Sequence, residues 1–146
     1  MTVKRVSPEE AKRLMDEEGF TYVDVRSIPE FEQGHPSGAY NVPLLHMTPG
    51  GMQPNPDFVD VFQSAFSKDD KVVVGCKSGG RSLRAAQQLA QLGFTHVVDQ
   101  RAGFAGSTDA FGQKQEAGWQ GQGLPVSTRP EEGHAYGELA ARAGKG

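Results

Sequence analysis

A short, unbroken run of apolar residues, KVVVG at residues 71–75, constrains the fold of this chain most strongly. A strand with one face in water alternates apolar and polar residues, whereas an uninterrupted apolar strand is typical of a parallel sheet covered on both faces. Residues 71–75 therefore predict a central strand with other structure packed against both of its faces.

Signals for helices and for further strands lie on both sides of this run. Ser7, Pro8 and Glu10 predict a helix start, because serine caps a helix, proline suits its first position and glutamate can answer the cap. Other expected elements are helices from Asn55 and from about Arg81, and extended segments at residues 21–25, 39–42 and 96–98. This alternation predicts an α/β fold in which a central parallel sheet has helices on both faces.

In two stretches rich in glycine and proline, we expect no regular structure in the first and a loop-rich chain in the second. The first is HMTPGGMQPNP at residues 46–56, and the second begins at Ala102 and contains ten of the nineteen glycines. Within the second stretch only Tyr136–Arg142 has a weak helical pattern. Because 146 residues suffice for one core but not for two ordinary domains, we predict one domain over residues 1–128. Residues 129–146 are expected to form a loop-rich tail with little apolar surface to bury.

Charge and hydropathy argue against two kinds of partner. Fifteen Lys and Arg stand against eighteen Asp and Glu, for a net charge of −3, which offers no basic surface for nucleic acid. No apolar segment approaches the roughly 18 residues that span a membrane, and the start MTVKRVSPEEAKRL lacks the apolar core of a secretion signal. We therefore expect a cytoplasmic protein with neither nucleic acid nor membrane as a partner.

Cys76, the one cysteine of the chain, directly follows the apolar run, in the stretch VVVGCKSGGRS at residues 72–82. Functional groups of parallel sheets lie at the carboxyl ends of strands. Gly79 and Gly80 allow successive backbone N–H groups to converge there, and the following helix adds the positive end of its dipole. Lys77 and Arg81 contribute nearby cations. Although an intracellular cysteine is usually an inert buried residue, this position favours a reactive thiolate.

With a second motif, this loop resembles the active-site loop of the rhodanese family. The second motif, DVRSIPEFEQGHPSGAYNVP at residues 24–43, is similar to the family's Asp-Val-Arg, Glu-Phe and Gly-His-x-x-Gly-Ala-x-Asn-x-Pro pattern. The similarity covers roughly residues 4–125 and is strongest with single-domain thiosulfate sulfurtransferases, and it implies a rhodanese-like α/β fold. The chain departs from the family at Pro36 and Ser37, where Ile-Pro is usual, and in a longer segment at residues 103–118.

The resemblance also implies roles for individual residues. Cys76 is expected to be the nucleophile that accepts a sulfur atom, and the loop around that sulfur comprises Lys77, Ser78, Gly79, Gly80 and Arg81. Asp24 and Arg26 are expected beside this loop as supports, and His35 as a packing residue. We expect Lys77 and Arg81 to favour an anionic donor, unless they point to solvent or pair with acids such as Glu30. No metal and no cofactor are expected.

The implied reaction moves sulfur from thiosulfate to cyanide or a thiol through a persulfide on Cys76. It needs a thiolate but no general acid, because sulfite leaves as a stable anion. With no second cysteine, the acceptor is expected to come from outside the chain.

Three alternatives compete with this interpretation. Phosphatase or arsenate-reductase relatives place five residues between cysteine and arginine, whereas this chain has four. Non-catalytic rhodanese-like interaction modules usually lack the cysteine. Residues 75–82 also approach a phosphate-binding P-loop, but Arg81 stands where lysine is required. The sequence does not identify the physiological donor or acceptor, or the oligomeric state.

Overall fold

A five-stranded parallel sheet forms the centre of the computed structural model, which describes residues 3–145. The strands are β1 (Lys4–Val6), β2 (Thr21–Asp24), β3 (His35–Pro36), β4 (Tyr40–Asn41), β5 (Leu45–Thr48), β6 (Gly51–Pro54), β7 (Lys71–Gly75), β8 (His96–Gln100), β9 (Gly106–Thr108), β10 (Lys114–Ala117) and β11 (Val126–Ser127). The helices are α1 (Pro8–Glu18), α2 (Ile28–Glu32), α3 (Phe58–Ala65), α4 (Gly80–Gln91) and α5 (Tyr136–Arg142). The central sheet has the order β1-β8-β7-β2-β4, and every neighbouring pair is parallel.

The apolar run at residues 71–75 is the middle strand of this sheet, as the sequence predicts. Val72, Val73 and Val74 are all fully buried. Val73 belongs to one apolar cluster, whereas Val72 and Val74 belong to a second cluster on the other face. This alternation confirms a strand that is covered on both sides.

Helices cover both faces of the sheet, which confirms the expected α/β architecture. On one face, α3, α4 and α5 contribute side chains such as Phe62, Leu89 and Leu139 to the larger cluster. On the other face, α1 contributes Leu14, and Trp119 from the segment after β10 completes the smaller cluster.

Local signals position the helix starts within a few residues. The Ser7 side chain accepts a hydrogen bond from the Glu10 N–H at 3.1 Å, so α1 begins as expected. Helix α3 begins at Phe58 rather than Asn55. The reason is that the Asn55 side chain instead accepts from the Asp57 N–H at 2.9 Å and donates to the carbonyl of Pro43.

Both glycine-rich stretches contain antiparallel hairpins. The expectation that the first stretch lacks regular structure is wrong, whereas the second stretch is loop-rich as expected but contains strands that its sequence does not indicate. Strand β5 pairs with β6 over residues 45–54, and β9 pairs with β10 inside the extended segment 103–118. In the first hairpin, Pro49 and Gly50 occupy the turn, and Gly51 follows it at a φ of 104°. In the second, Asp109 accepts hydrogen bonds from the N–H groups of Phe111 and Gln113, which closes the turn.

The C-terminal segment also buries more than expected. The helix predicted at Tyr136–Arg142 is present, and Tyr136, Leu139 and Ala140 are buried in the larger core cluster. The expectation of little apolar surface to bury is wrong because these few apolar residues share one helix face. The division of the chain at residue 128 stays a prediction. Within residues 3–145, no helix has the length and apolar character needed to cross a membrane.

Candidate active site

The carboxyl ends of three neighbouring strands converge on Cys76. Strand β7 ends at Gly75, immediately before the cysteine, and β2 ends at Asp24 on one side. Strand β8 carries Asp99 and ends at Gln100 on the other side. Parallel strands bring these positions to one edge of the sheet, where ligands of such folds bind.

The loop after β7 wraps backbone around the sulfur. Cys76 is only 2% exposed, and the N–H of Gly79 donates a hydrogen bond to its Sγ at 3.1 Å. Gly79 has a φ of 104°, and a Cβ at this position would lie 2.2 Å from the carbonyl oxygen of Arg101. Only glycine therefore fits here, whereas Gly80 faces open space.

Backbone N–H groups of the turn that follows β8 donate hydrogen bonds to the cysteine loop. The N–H of Phe104 donates to the carbonyl of Cys76 at 2.7 Å, and the N–H of Ala105 donates to the carbonyl of Lys77 at 2.9 Å. Gly103 has a φ of 71°, and a Cβ there would lie 2.4 Å from the Lys77 carbonyl. The loop is thus held by backbone contacts that depend on two glycines far apart in the sequence.

Arg81 is held by Glu30, one of the outcomes that the sequence leaves open. The guanidinium makes two hydrogen bonds to the carboxylate, at 2.8 Å and 3.0 Å. The Glu30 carboxylate also accepts from the backbone and the hydroxyl of Ser27. Burial acts to raise the pKa of Glu30, but the hydrogen bonds from Arg81 and Ser27 outweigh it and lower this pKa to about 2. Arg81 therefore ties the start of α4 to α2.

Asp24 and Arg26 form a buried ion pair beside the loop. Arg26 Nε lies 3.0 Å from both carboxylate oxygens of Asp24, and Nη2 lies 2.6 Å from Oδ2. The same nitrogen donates to the Gly34 carbonyl, and the guanidinium lies 4.4 Å from the ring centre of Phe104. The two charges therefore bind each other and nearby protein groups. This arrangement fits the supporting role expected for Asp24 and Arg26, which stays a prediction.

Lys77 and Ser78 lie on the outer side of the loop and are exposed. Lys77 lines a cavity of about 250 Å³ together with Arg26, Glu30 and Phe104. Ser78 lines a separate cavity of about 470 Å³ on the β1 side of the loop. Among residues 3–145, Lys77 has no ion-pair partner, so its charge is available at the rim.

His35 is a packing residue, as expected. It is 1% exposed, its ring stacks on Phe31 at 3.8 Å between centres, and its Nδ1 lies 2.8 Å from the Phe31 carbonyl. Nowhere in the described part of the chain do three or more His, Cys, Asp or Glu side chains form a group suited to a metal ion.

Several residues that shape the site have no clear signal in the sequence. Ser82 on α4 places its hydroxyl 3.4 Å from Cys76 Sγ, and Gly103 contacts the loop from 27 positions away. Glu30 carries a partial signal, because Ser27 and Glu30 match a helix-capping pattern. That pattern indicates a helix start but not the contact with Arg81.

A parallel α/β sheet with a buried thiol in a glycine-rich loop defines a class of proteins that carry a cysteine at the ligand-binding edge of the sheet. Comparison with known proteins narrows this class. The model of the Rhodanese-like domain matches residues 7–110, more than half of the chain. The chain therefore belongs to the rhodanese-like family.

Individual relatives agree with this assignment. Thiosulfate sulfurtransferase 16, chloroplastic, of Arabidopsis thaliana is 41% identical over 74% of this chain and 80% of its own length. Senescence-associated protein DIN1 of Raphanus sativus is 40% identical over 70% of this chain, which spans only 56% of that relative. The crystal structure of Rv0390 from M. tuberculosis superposes with a TM-score of 0.73 and 26% identity, over 88% of this chain and 100% of that one.

Proposed function

We propose that this rhodanese-like protein is a thiosulfate sulfurtransferase that carries sulfur as a persulfide on Cys76. The observation that carries the proposal is the hydrogen bond from the Gly79 N–H to Cys76 Sγ at 3.1 Å, in a loop of four residues between Cys76 and Arg81. A thiolate accepts such a bond more strongly than a thiol, because charge-assisted hydrogen bonds are the stronger ones.

In the first half-reaction, the thiolate of Cys76 attacks the outer sulfur of thiosulfate. A bond forms between the two sulfur atoms, the sulfur–sulfur bond of thiosulfate breaks, and sulfite leaves with the electron pair. No proton is transferred in this step, so it needs no histidine beside the sulfur. The exposed Lys77 at the rim offsets the repulsion between the dianion and the thiolate.

In the second half-reaction, an external nucleophile such as cyanide or a thiolate attacks the outer sulfur of the persulfide. The bond between that sulfur and Cys76 Sγ breaks, and the cysteine leaves as a thiolate. The Gly79 N–H that stabilises the attacking thiolate also stabilises this leaving group. The chain has no second cysteine to accept the sulfur itself.

We further propose a cytoplasmic location.

Thiocyanate formation from thiosulfate and cyanide tests the proposal. We expect turnover by the native protein and only the uncatalysed rate for Cys76→Ser, which keeps the size of the side chain but removes the thiolate. An aryl phosphate is the contrast substrate, since a loop with four residues is too tight for a phosphoryl group. Turnover by Cys76→Ser, or efficient phosphate hydrolysis with no thiocyanate formed, would contradict the proposal.

A further inference from the structure

The cavity of about 250 Å³ at the rim of the cysteine loop has features for which thiosulfate has no use. A water molecule takes up about 30 Å³ of the liquid, so the cavity has room for roughly eight waters, more than one small dianion fills. Phe104 and Ala105, both apolar, form part of its wall. Apolar surface attracts carbon groups rather than a hydrated dianion. The cavity therefore suits an organic molecule.

The aromatic part of this wall is fixed to the nucleophile. The N–H of Phe104 donates to the carbonyl of Cys76 at 2.7 Å. The Phe104 ring lies 4.4 Å from the guanidinium of Arg26, and a Cβ at Gly34 would lie 3.5 Å from the same ring. A molecule that packs against this ring is therefore held next to the cysteine loop.

The charged residues of the cavity leave one positive charge in excess. Arg26 lines the cavity, but its guanidinium is paired with Asp24 at 2.6 Å. Glu30 lines it too, but its carboxylate is paired with Arg81 at 2.8 Å. Lys77 is exposed there and has no ion-pair partner within residues 3–145. The two pairs cancel, so the charge of Lys77 favours an anionic group in the cavity.

Two exposed glutamines, Gln33 and Gln120, complete the wall. Their backbones are fixed, because the N–H of Gln33 donates to Pro29 and the N–H of Gln120 donates to Phe104, both at 3.2 Å. A primary amide carries two N–H donors and a carbonyl acceptor. These side chains can therefore bind polar groups of either kind without changing the charge of the cavity.

We infer that this cavity is the acceptor subsite, and that it takes a small organic thiol that carries a carboxylate. The carbon chain of the thiol packs on Phe104, and its carboxylate faces Lys77. Lys77 serves the donor and the acceptor in turn, because the two half-reactions are separate. The inference rests on the proposed function, in which this thiol is the nucleophile of the second half-reaction.

The chemistry of that step balances without an oxidant or a reductant. The thiol first loses its proton to solvent, and its sulfur then attacks the outer sulfur of the persulfide. A bond forms between these two sulfur atoms, and the bond from the outer sulfur to Cys76 Sγ breaks. Cys76 leaves as a thiolate with the electron pair, and the acceptor departs as a persulfide.

Three thiols of similar size test the preference for charge. Outside the thiol group, 3-mercaptopropionate is negative, 2-mercaptoethanol is neutral and cysteamine is positive. Sulfite release from thiosulfate measures turnover, and in a ping-pong reaction kcat/KM for the acceptor reflects the second half-reaction alone. The readout is the ratio of kcat/KM for 3-mercaptopropionate to that for cysteamine. Comparing this ratio between variant and native protein removes the intrinsic reactivity of each thiol.

Opposite charges at position 120 should move this ratio in opposite directions. We expect Gln120→Glu to lower the ratio by about threefold to tenfold and Gln120→Lys to raise it by a similar factor, with 2-mercaptoethanol intermediate. The matched controls are Gln88→Glu and Gln88→Lys, at an exposed position of α4 outside the cavity. They should change the ratio by less than about twofold, because salt screens distant charges. Native ratios in both Gln120 variants would overturn the inference.

A binding measurement distinguishes failure of this inference from failure of the proposed function. Without thiosulfate, 3-mercaptopropionate should shift the NMR signals of the Gln33 and Gln120 side-chain amides and of the Ala105 N–H in the native protein, and cysteamine should shift them far less. Signals that do not move, or that move equally with both thiols, would overturn the inference even if thiocyanate forms. Selective shifts without thiocyanate formation would support the cavity as a site for an anionic thiol and refute the proposed sulfur transfer.

Discussion

At the scale of single residues, the two cations of the loop have different tasks. Arg81 is bound by both oxygens of Glu30, so its charge serves the joint between α2 and α4. Lys77 is exposed at the rim of the 250 Å³ cavity. Because Arg81 is paired with Glu30, we now expect Lys77 alone of the two cations to attract an anionic donor.

Lys77→Ala tests this division of tasks. A charge-assisted hydrogen bond is worth about 1.5 to 3 kcal/mol, so its loss should lower kcat/KM for thiosulfate by about one to two orders of magnitude. For mercaptopyruvate, which carries less negative charge than thiosulfate, the same substitution should lower kcat/KM by a smaller factor. The control is Lys71→Ala, at the opposite end of β7. An unchanged ratio of kcat/KM for the two donors in Lys77→Ala would show that Lys77 is only a solvated rim residue.

The ion pair of Glu30 and Arg81 predicts a particular response to acid. The folded pKa of Glu30 is about 2, below the ordinary value of 4.5, so its stabilising effect is present above 4.5 and is lost as pH falls towards 2. We expect Glu30→Gln to lose about 1 to 2 kcal/mol of stability at neutral pH, because solvent still reaches and screens part of this mostly buried pair. Between pH 4.5 and pH 2, the variant should lose less stability than the native protein.

Chemical denaturation at several pH values measures this difference. Glu32→Gln, at an exposed position on the same short helix, should keep the acid sensitivity of the native protein. A Glu30→Gln variant with the native pH dependence would show that the pair does not persist in solution.

At the scale of elements, the cysteine loop is shaped by glycines with unequal roles. Gly79 has a positive φ and no room for a Cβ, whereas Gly80 begins α4 in open space. We therefore expect Gly79→Ala to displace the N–H that meets the sulfur and to lower kcat by about 10²-fold or more, as for loss of an oxyanion-hole donor. Gly80→Ala should stay within a few-fold of native activity and strengthen the helix start.

Thiocyanate formation and circular dichroism together distinguish the two glycine variants. Similar losses of activity in both, with native spectra, would mean that the backbone direction at Gly79 is not what stabilises the thiolate.

Helix α5 is a structural element of the core. Leu139 is 3% exposed against the cluster that includes Phe62 of α3, so Leu139→Ala should cost about 2 to 5 kcal/mol of stability. The exposed Ala141 provides the matched control as Ala141→Ser. Thermal unfolding measures both, and truncation after Pro130 should destabilise the protein at least as much as Leu139→Ala. A truncated protein with native stability would mean that this segment is a dispensable tail.

At the scale of the whole molecule, the sequence predicts what depends on local pattern. The apolar run 71–75 predicts the central strand, and Ser7 predicts the start of α1, because both signals lie within a few neighbouring residues. The site around Cys76 is predictable for the same reason, since the strand end, the glycines and the cations that indicate it are all close neighbours in the chain.

What the sequence does not predict arises from contacts between distant segments. The strands of the two hairpins are short and largely exposed, so they have no apolar periodicity to detect. The contact of Gly103 with the cysteine loop depends on the order of strands in the sheet. The burial of α5 is also not evident from composition. Its few apolar residues form a buried surface only because they lie on one face of the helix.

The mass of the intact protein after exposure to thiosulfate tests the central claim most directly. We expect the native chain to gain the mass of one sulfur atom and to lose it on addition of cyanide, while Cys76→Ser stays unchanged under both treatments. A native protein that gains no sulfur, yet still forms thiocyanate, would contradict a persulfide on Cys76.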